Sequence, residues 1–219
     1  PSDMGTQAAI QALSSASLKA EDLELIIVAT MSSDYISPST ACLIQAQLKA
    51  EKAVAFDIQA ACTGFLYALS IAKSFIESGT YRNVLVIASE KMSAFIDYQD
   101  RSTCVLFGDG AAAAIITNHG EGLRIDTLSL GSDGQLAELV KIPAGGSRHP
   151  ATSETIEKRM HCFQMTGNEV FKHAVRRMSA AARECLAKAG LQEIDVGWLV
   201  PHQANKRIID AIAKNFNIA

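Results

Sequence analysis

Two residues in this sequence join a reactive side chain to the backbone context that reactivity needs: Cys62 and His202. Cys62 stands in Ala60-Ala61-Cys62-Thr63-Gly64-Phe65, shortly after the run Val54-Ala55-Phe56-Asp57-Ile58, apolar but for Asp57. The run predicts a strand, and the small residues after it predict a tight turn into a helix. The sulfur would then sit at a helix N-terminus, where unpaired N–H groups and the macrodipole favour negative charge. Thiolate is the nucleophilic form of cysteine. Gly64 and the alanines permit close approach of a narrow substrate arm, and the Cys62 N–H could donate to an oxyanion. An ordinary buried thiol fits the same segment.

His202 follows a second apolar run, Val196-Gly197-Trp198-Leu199-Val200, and Pro201, and precedes a helical pattern. In open α/β sheets ligands bind at the carboxyl ends of strands. A neutral imidazole there can donate a hydrogen bond to a carbonyl oxygen on which charge develops. A satisfied structural histidine is the competing reading. The other residues with chemical potential lack such context. Cys42, Cys104, Cys162 and Cys185 are expected to pack, and His119, His149, His161 and His173 lie in polar surroundings expected at the surface. No C-x-x-C pair or helical His pair suggests a metal site, and none is expected. Gly108-Asp109-Gly110-Ala111-Ala112-Ala113 imitates a dinucleotide fingerprint, but Ala114-Ile115-Ile116 after it reads as strand rather than helix.

The elements that would position Cys62 and His202 alternate regularly. A helix is expected from Ser2 or Asp3 to about Ser17, and a buried strand over Leu25–Ala29. After a loop, Pro38 and Ser39 open a second helix to about Lys49. The strand at Val54–Ile58 is followed by a helix from Ala60 to Ser78 closed by Gly79, then by a buried strand at Val84–Ser89. Further strands are expected at Leu123–Leu130 and Val196–Val200. Long and short amphipathic helices are expected at Asn168–Lys188 and Lys206–Asn215. This alternation is that of a layered α/β sheet. The Gly- and Pro-containing stretch Pro143–Ser153 is the candidate boundary between two halves, residues 1–150 and 151–219.

Composition excludes several classes. The 219 residues are 48% hydrophobic and 20% charged with a formal net charge of −3, enough apolar content for a core and no basic excess for nucleic acid. The five cysteines are odd in number and irregular in spacing, which argues against a disulfide framework. No apolar run approaches the roughly 20 residues of a membrane span. A cytoplasmic protein bound to neither nucleic acid nor membrane is expected.

The sequence resembles the β-ketoacyl-acyl-carrier-protein synthase III family. The resemblance is carried by Ala60-Ala61-Cys62-Thr63-Gly64-Phe65, Phe107-Gly108-Asp109-Gly110-Ala111, Leu130-Gly131-Ser132-Asp133-Gly134, Thr166-Gly167-Asn168-Glu169-Val170-Phe171-Lys172 and Val200-Pro201-His202-Gln203-Ala204-Asn205. It implies a thiolase-like fold layered α-β-α-β-α, usually as a homodimer, with Cys62 in the first half and His202 in the second. It also implies a ping-pong condensation without metal or redox cofactor. Acyl-CoA would acylate Cys62, and malonyl-acyl carrier protein would then lose CO2 and attack the acyl group, with His202 steadying the enolate. By the same resemblance Phe107 would wall the acyl pocket, Gly167, Asn168 and Phe171 would line the pantetheine tunnel, and Ala204 and Asn205 would lie near the CoA arm. Gln203 and Arg207 would meet the acidic carrier protein.

Against the family pattern the sequence reads as incomplete at both ends. The first strand of the first half is expected upstream of Pro1, and a third catalytic residue, an Asn, beyond Ala219. In the loop Asp34-Tyr35-Ile36-Ser37-Pro38, Ser37 occupies a position where acetyl-specific relatives carry a bulky aromatic, which implies room for longer acyl chains. Alternatives are a polyketide or quinolone starter synthase, a hydroxymethylglutaryl-CoA synthase, a thiolase with a second cysteine further on, or a non-catalytic homologue that binds acyl carrier protein.

Overall fold

The computed structural model describes residues 1–216. The chain forms two compact units: Pro1–Met92 with Gly108–Ile125, and Ser93–Phe107 with Asp126–Ala219. Residues 126–150, read from sequence with the first half, therefore cluster with the second unit.

The first unit is built on a four-stranded sheet in the order β2-β1-β3-β4, formed by β1 (Leu25–Ala29), β2 (Val54–Ile58), β3 (Asn83–Lys91) and β4 (Asp109–Thr117). β1 runs parallel to β2 and to β3, and β4 closes the sheet antiparallel to β3. Every residue of β1 is buried, as expected for a central strand covered on both faces. Alternate side chains divide between the faces. Ile26 and Val28 join Leu85 and Ile87 against Ala9 and Leu13 of α1 (Ser2–Ser15) and Ala41 and Ile44 of α2 (Thr40–Leu48). Leu25, Ile27 and Ala29 join Val84 and Val86 against Ala68, Ala72 and Ile76 of α3 (Gly64–Glu77). The three layers are thus α, β and α. Each fully buried aliphatic side chain of β1 contributes roughly 1.5–3 kcal/mol by its removal from water.

The helix ends follow from local chemistry. Ser39 caps α2, its side chain accepting from Cys42 N–H, as the sequence suggested. The carboxylate of Asp57 reinforces that end, accepting from the N–H groups of Thr40 and Ala41 at 2.7 Å each. At α1 neither Ser2 nor Asp3 caps the helix; Pro1 holds the cap position without a side-chain bond. Gly79, at φ 72°, turns the chain after α3 while Thr80 N–H reaches back to Phe75 carbonyl oxygen at 3.0 Å, a conformation glycine adopts without steric cost.

The second unit contains a short antiparallel pair, β5 (Val140–Lys141) with β6 (Gln164–Met165), and the helices α4 (Ser153–Glu157), α5 (Gly167–Ala189) and α6 (Lys206–Asn215). Ile208 and Ile212 of α6, with Phe216, bury themselves against Phe171, Val175, Met178, Ala182 and Leu186 of α5. Their spacing of four places them on one helical face. Gly190, at φ 69°, ends α5 as expected.

Two expected strands are not formed. Residues 123–130 and 196–200 have no ladder partners among the described residues. Leu123 (102%), Trp198 (92%) and Val200 (78%) are exposed. Apolar runs announce a wish for burial, but a strand also needs a neighbouring backbone to satisfy its N–H and C=O groups. The look-alike dinucleotide segment is strand β4 from Asp109 onward, so no helix N-terminus follows its glycines. Among the described residues no helix is long and apolar enough to cross a membrane.

Candidate active site

Register places Ile58, Ala29 and Ala88 side by side at the carboxyl edge of the three parallel strands. Cys62 lies four residues beyond Ile58. The chain leaves β2, passes through Ala61 at φ 44°, and makes a 3-10 turn over Ala61–Thr63 before α3 begins at Gly64. A left-handed alanine is strained by about 1 kcal/mol. The turn is held by Thr63, whose N–H and hydroxyl both donate to the Ala60 carbonyl oxygen at 3.2 and 2.9 Å. Helix α3 therefore starts two residues beyond the cysteine rather than at Ala60.

As a residue Cys62 is exposed. Its thiol is nevertheless pushed up from the ordinary range. Partial burial among neighbouring atoms is the main cause; the Cys62 backbone N–H offsets part of it, and the negative charge of Glu90 adds to it. This direction is opposite to the one a helix N-terminus by itself would impose. The cysteine stands in the turn ahead of α3, and desolvation together with Glu90 outweighs the stabilisation supplied by the backbone.

Glu90 was not singled out by sequence reasoning. It sits two residues past Ala88 on β3, and its carboxylate accepts from the N–H groups of Met31 (2.9 Å) and Ser32 (3.2 Å), from Thr30 Oγ1 (3.4 Å) and from Ser32 Oγ. The signal available in the sequence was an acid directly after the apolar strand ending Ala88-Ser89-Glu90.

The other candidates lie in the second unit. His202 is exposed at the segment leading into α6, and desolvation lowers its pKa, so the imidazole is neutral at pH 7. Three residues on, Asn205 caps α6, with Oδ1 accepting from Ile208 N–H at 3.0 Å. Ala204 and Phe171 pack on the α5–α6 cluster. Gln203 and Arg207 are exposed beside them. Gly167 and Asn168 are exposed in the first turn of α5. Phe107 stacks on Phe163, ring centroids 4.8 Å apart and planes inclined by 15°. His161, expected at the surface, is partly buried and bonded through Nε2 to Thr155 Oγ1 at 2.9 Å.

Models of the 3-oxoacyl-[acyl-carrier-protein] synthase III family match residues 56–134, and models of its C-terminal part match residues 186–219. The first match contains Cys62, Glu90 and Phe107; the second contains His202, Gln203, Ala204, Asn205 and Arg207. A 2.1 Å crystal structure of a 3-oxoacyl-(acyl-carrier-protein) synthase III superimposes with a TM-score of 0.91 at 31% identity, over 100% of this chain and 68% of that one.

This chain belongs to the β-ketoacyl-[acyl-carrier-protein] synthase III family.

Within the family it is similar to the synthase III of Chlamydia pneumoniae, with 56% identity over 216 residues covering 98% of this chain. The crystal structure of the Aquifex aeolicus enzyme gives a TM-score of 0.88 at 48% identity, over 100% of this chain and 66% of that one. The fold is accordingly the thiolase-like α/β fold expected from the sequence. The chain spans 64% of the length of the Chlamydia pneumoniae relative.

Proposed function

We propose that Cys62 accepts an acyl group from acyl-CoA and passes it to a carbon nucleophile formed from malonyl-acyl carrier protein, giving a 3-oxoacyl-acyl carrier protein. The observation that carries this reading is an accessible cysteine at the carboxyl edge of a parallel sheet, on the strand-to-helix turn that lies inside the family match. In the first half-reaction the Cys62 thiol loses its proton as its sulfur attacks the thioester carbonyl carbon, and CoA leaves and takes up a proton to depart as its thiol. In the second, malonyl-acyl carrier protein loses CO2. The resulting enolate carbon attacks the acyl-cysteine, and the Cys62 thiolate departs. His202, kept neutral by desolvation, is suited to donate a hydrogen bond to the thioester oxygen as the enolate forms.

The same reading assigns Phe107 to the acyl pocket and Gly167, Asn168, Phe171, Ala204 and Asn205 to the path of the pantetheine arm. Exposed Arg207 and Gln203 would meet the carrier protein. It also holds that residues 1–150 and 151–219 belong to two related halves, that two copies pair, that no cofactor beyond the two substrates is needed, and that the protein works in the cytoplasm. Ser37, exposed and small beside Pro38, supports acceptance of chains longer than acetyl.

The test is intact-mass measurement of the full-length protein after incubation with acetyl-CoA and with longer acyl-CoAs. The expected result is one acyl adduct, absent in Cys62→Ala, that disappears on addition of malonyl-acyl carrier protein. Persistence of the adduct in Cys62→Ala would remove Cys62 as nucleophile. Discharge of the adduct by malonyl-CoA rather than malonyl-acyl carrier protein would reassign the acceptor.

A further inference from the structure

Asp57 is an acid inside a strand, a setting from which aspartate is depleted, and the proposed reaction gives it no task. Its carboxylate binds the N–H groups of Thr40 and Ala41, so β2 holds the first turn of α2 only five positions ahead of Cys62 in sequence. The segment entering that turn is the loop that leaves β1. The near end of the same loop is held by Glu90, which accepts from the N–H groups of Met31 and Ser32 and from the hydroxyls of Thr30 and Ser32. Between the two anchors Asp34 N–H donates to Thr40 Oγ1 at 3.3 Å, and the Asp34 carboxylate accepts from Ser2 Oγ at 3.0 Å. Thr30, Ser32 and Thr40 are buried, whereas Tyr35 and Ile36 at the tip are exposed. A loop with so little apolar burial at its tip is ordinarily mobile; here hydrogen bonds to two carboxylates fix its ends instead.

The loop rises from the same edge of the sheet as the cysteine turn. Thr30, the first residue past β1, donates its N–H to the Ile58 carbonyl oxygen at 3.2 Å, and Gly64, two residues after Cys62, packs on Ala29. Loops at this edge are the ones that shape ligand sites in such sheets. We infer that Asp57 is a positioning residue: with Glu90 it clamps the two ends of the loop over residues 33–39, so that the loop stands as a fixed wall of the site and sets which acyl chain lengths Cys62 accepts. The inference rests on the reading of Cys62 as the acyl acceptor. A wall held in place rejects a chain that overruns it, because the chain must displace the wall; a loosened wall yields, and discrimination between lengths falls. Asp57 acts here through backbone N–H groups of α2, and its bonds are made to the loop's far end rather than to any reacting atom.

The experiment uses Asp57→Asn in the full-length protein, with circular dichroism to verify folding. Asparagine keeps one acceptor oxygen but presents an NH2 group to the second backbone N–H, so one of the two bonds is lost. Two readouts are taken. Amide hydrogen exchange followed by mass is expected to quicken about tenfold over residues 33–41. Acylation of Cys62 by acetyl-CoA and by octanoyl-CoA is then timed by intact mass, and the ratio of the faster to the slower rate is expected to fall about three- to tenfold. A merely structural role would slow both acyl-CoAs alike and leave that ratio where it was. Ser32→Ala, which removes one donor to Glu90 at the near end, is expected to act in the same direction and carries the test if Asp57→Asn does not fold. Unchanged exchange in the folded variant, faster exchange with an unchanged ratio, or a parent that takes both acyl-CoAs at equal rates overturns the inference. Absence of any adduct in the parent would remove the proposed reaction, and the selectivity assigned here with it, while faster exchange in Asp57→Asn would still support the clamp alone.

Discussion

Gly64, the first residue of α3, stands so close to Ala29 at the end of β1 that a β-carbon built on it would lie 3.1 Å from the alanine β-carbon. This contact seats the helix against the sheet two residues after Cys62, so the sulfur inherits its position from a gap that only glycine leaves. Gly64→Ala is expected to fold with a loss of roughly 1–2 kcal/mol, because backbone on both sides must separate by a few tenths of an ångström. Acylation of Cys62 should slow by an order of magnitude as the turn shifts. Thermal denaturation and stopped-time mass analysis check the two effects. An unchanged acylation rate in the variant would show that the turn does not depend on this packing.

A second expectation concerns Asn205. The resemblance placed it near the CoA arm, and the structure gives it a further task at the start of α6, where its side chain accepts from Ile208 N–H. Asn205→Ala should therefore lower stability by about 1 kcal/mol, loosening the helix whose Ile208 and Ile212 pack on α5. Asn205→Asp keeps the cap and should retain the stability, so a loss of substrate affinity in Asn205→Asp with an unaltered melting curve would separate the two tasks. Equal melting of the Ala variant and the parent contradicts the cap.

How far the sequence disclosed this arrangement depended on range. β1 and β2 were placed residue for residue: Leu25–Ala29 is an apolar run flanked by polar residues, and Val54–Ile58 is a short run rich in strand-forming residues with Asp57 within it. Helix α6 was placed equally well, expected over Lys206–Asn215 and found there. The sequence also singled out Cys62 and His202 as candidates by their motifs. It did not disclose Glu90, since four donors converging on one carboxylate lie about sixty positions away in sequence, and no local pattern encodes that meeting. Residues 123–130 and 196–200 misled for the same reason: hydrophobicity is local, but the partner that makes a strand is not. The upward shift of the Cys62 thiol was not legible either, because its largest cause, desolvation, depends on what packs around the turn.

The shifts at the two site residues predict opposite pH dependences. Because the Cys62 thiol is raised, the rate of adduct formation should keep climbing with pH past the ordinary thiol value of roughly 8.5. Because the His202 pKa is lowered, its neutral form persists through neutral pH, and condensation should fall only on the acid side of the usual histidine value of roughly 6.5. Stability follows the same signs. The folded state disfavours protonated His202, so its contribution is present above the unfolded value and is lost as pH drops through it. The folded state disfavours ionised Cys62, so its contribution is present below the unfolded thiol value and is lost as pH rises. Adduct formation by rapid quench and condensation by product mass, each from pH 5 to 10, check the two limbs. A single coincident bell for both steps would contradict them.

The division of labour proposed for Cys62 and His202 gives the last expectation. A nucleophile must be present for either half-reaction, whereas a hydrogen-bond donor to the thioester oxygen matters where negative charge accumulates on that oxygen, which is during loss of CO2 and not to the same degree during transfer from CoA. Cys62→Ala should therefore abolish the acyl adduct and the condensed product together. His202→Ala should form the adduct within a few-fold of the parent rate and lose condensation by about 100- to 1000-fold, the usual magnitude for removing one such donor. His202→Gln, which retains an N–H without titrating, should recover part of that loss and flatten the acid limb of the condensation profile. The adduct and the product are distinguishable in one mass spectrum, so both half-reactions are read from the same sample. If His202→Ala instead fails to acylate while remaining folded, the imidazole serves as a base toward the raised Cys62 thiol, and its role moves from the second half-reaction to the first.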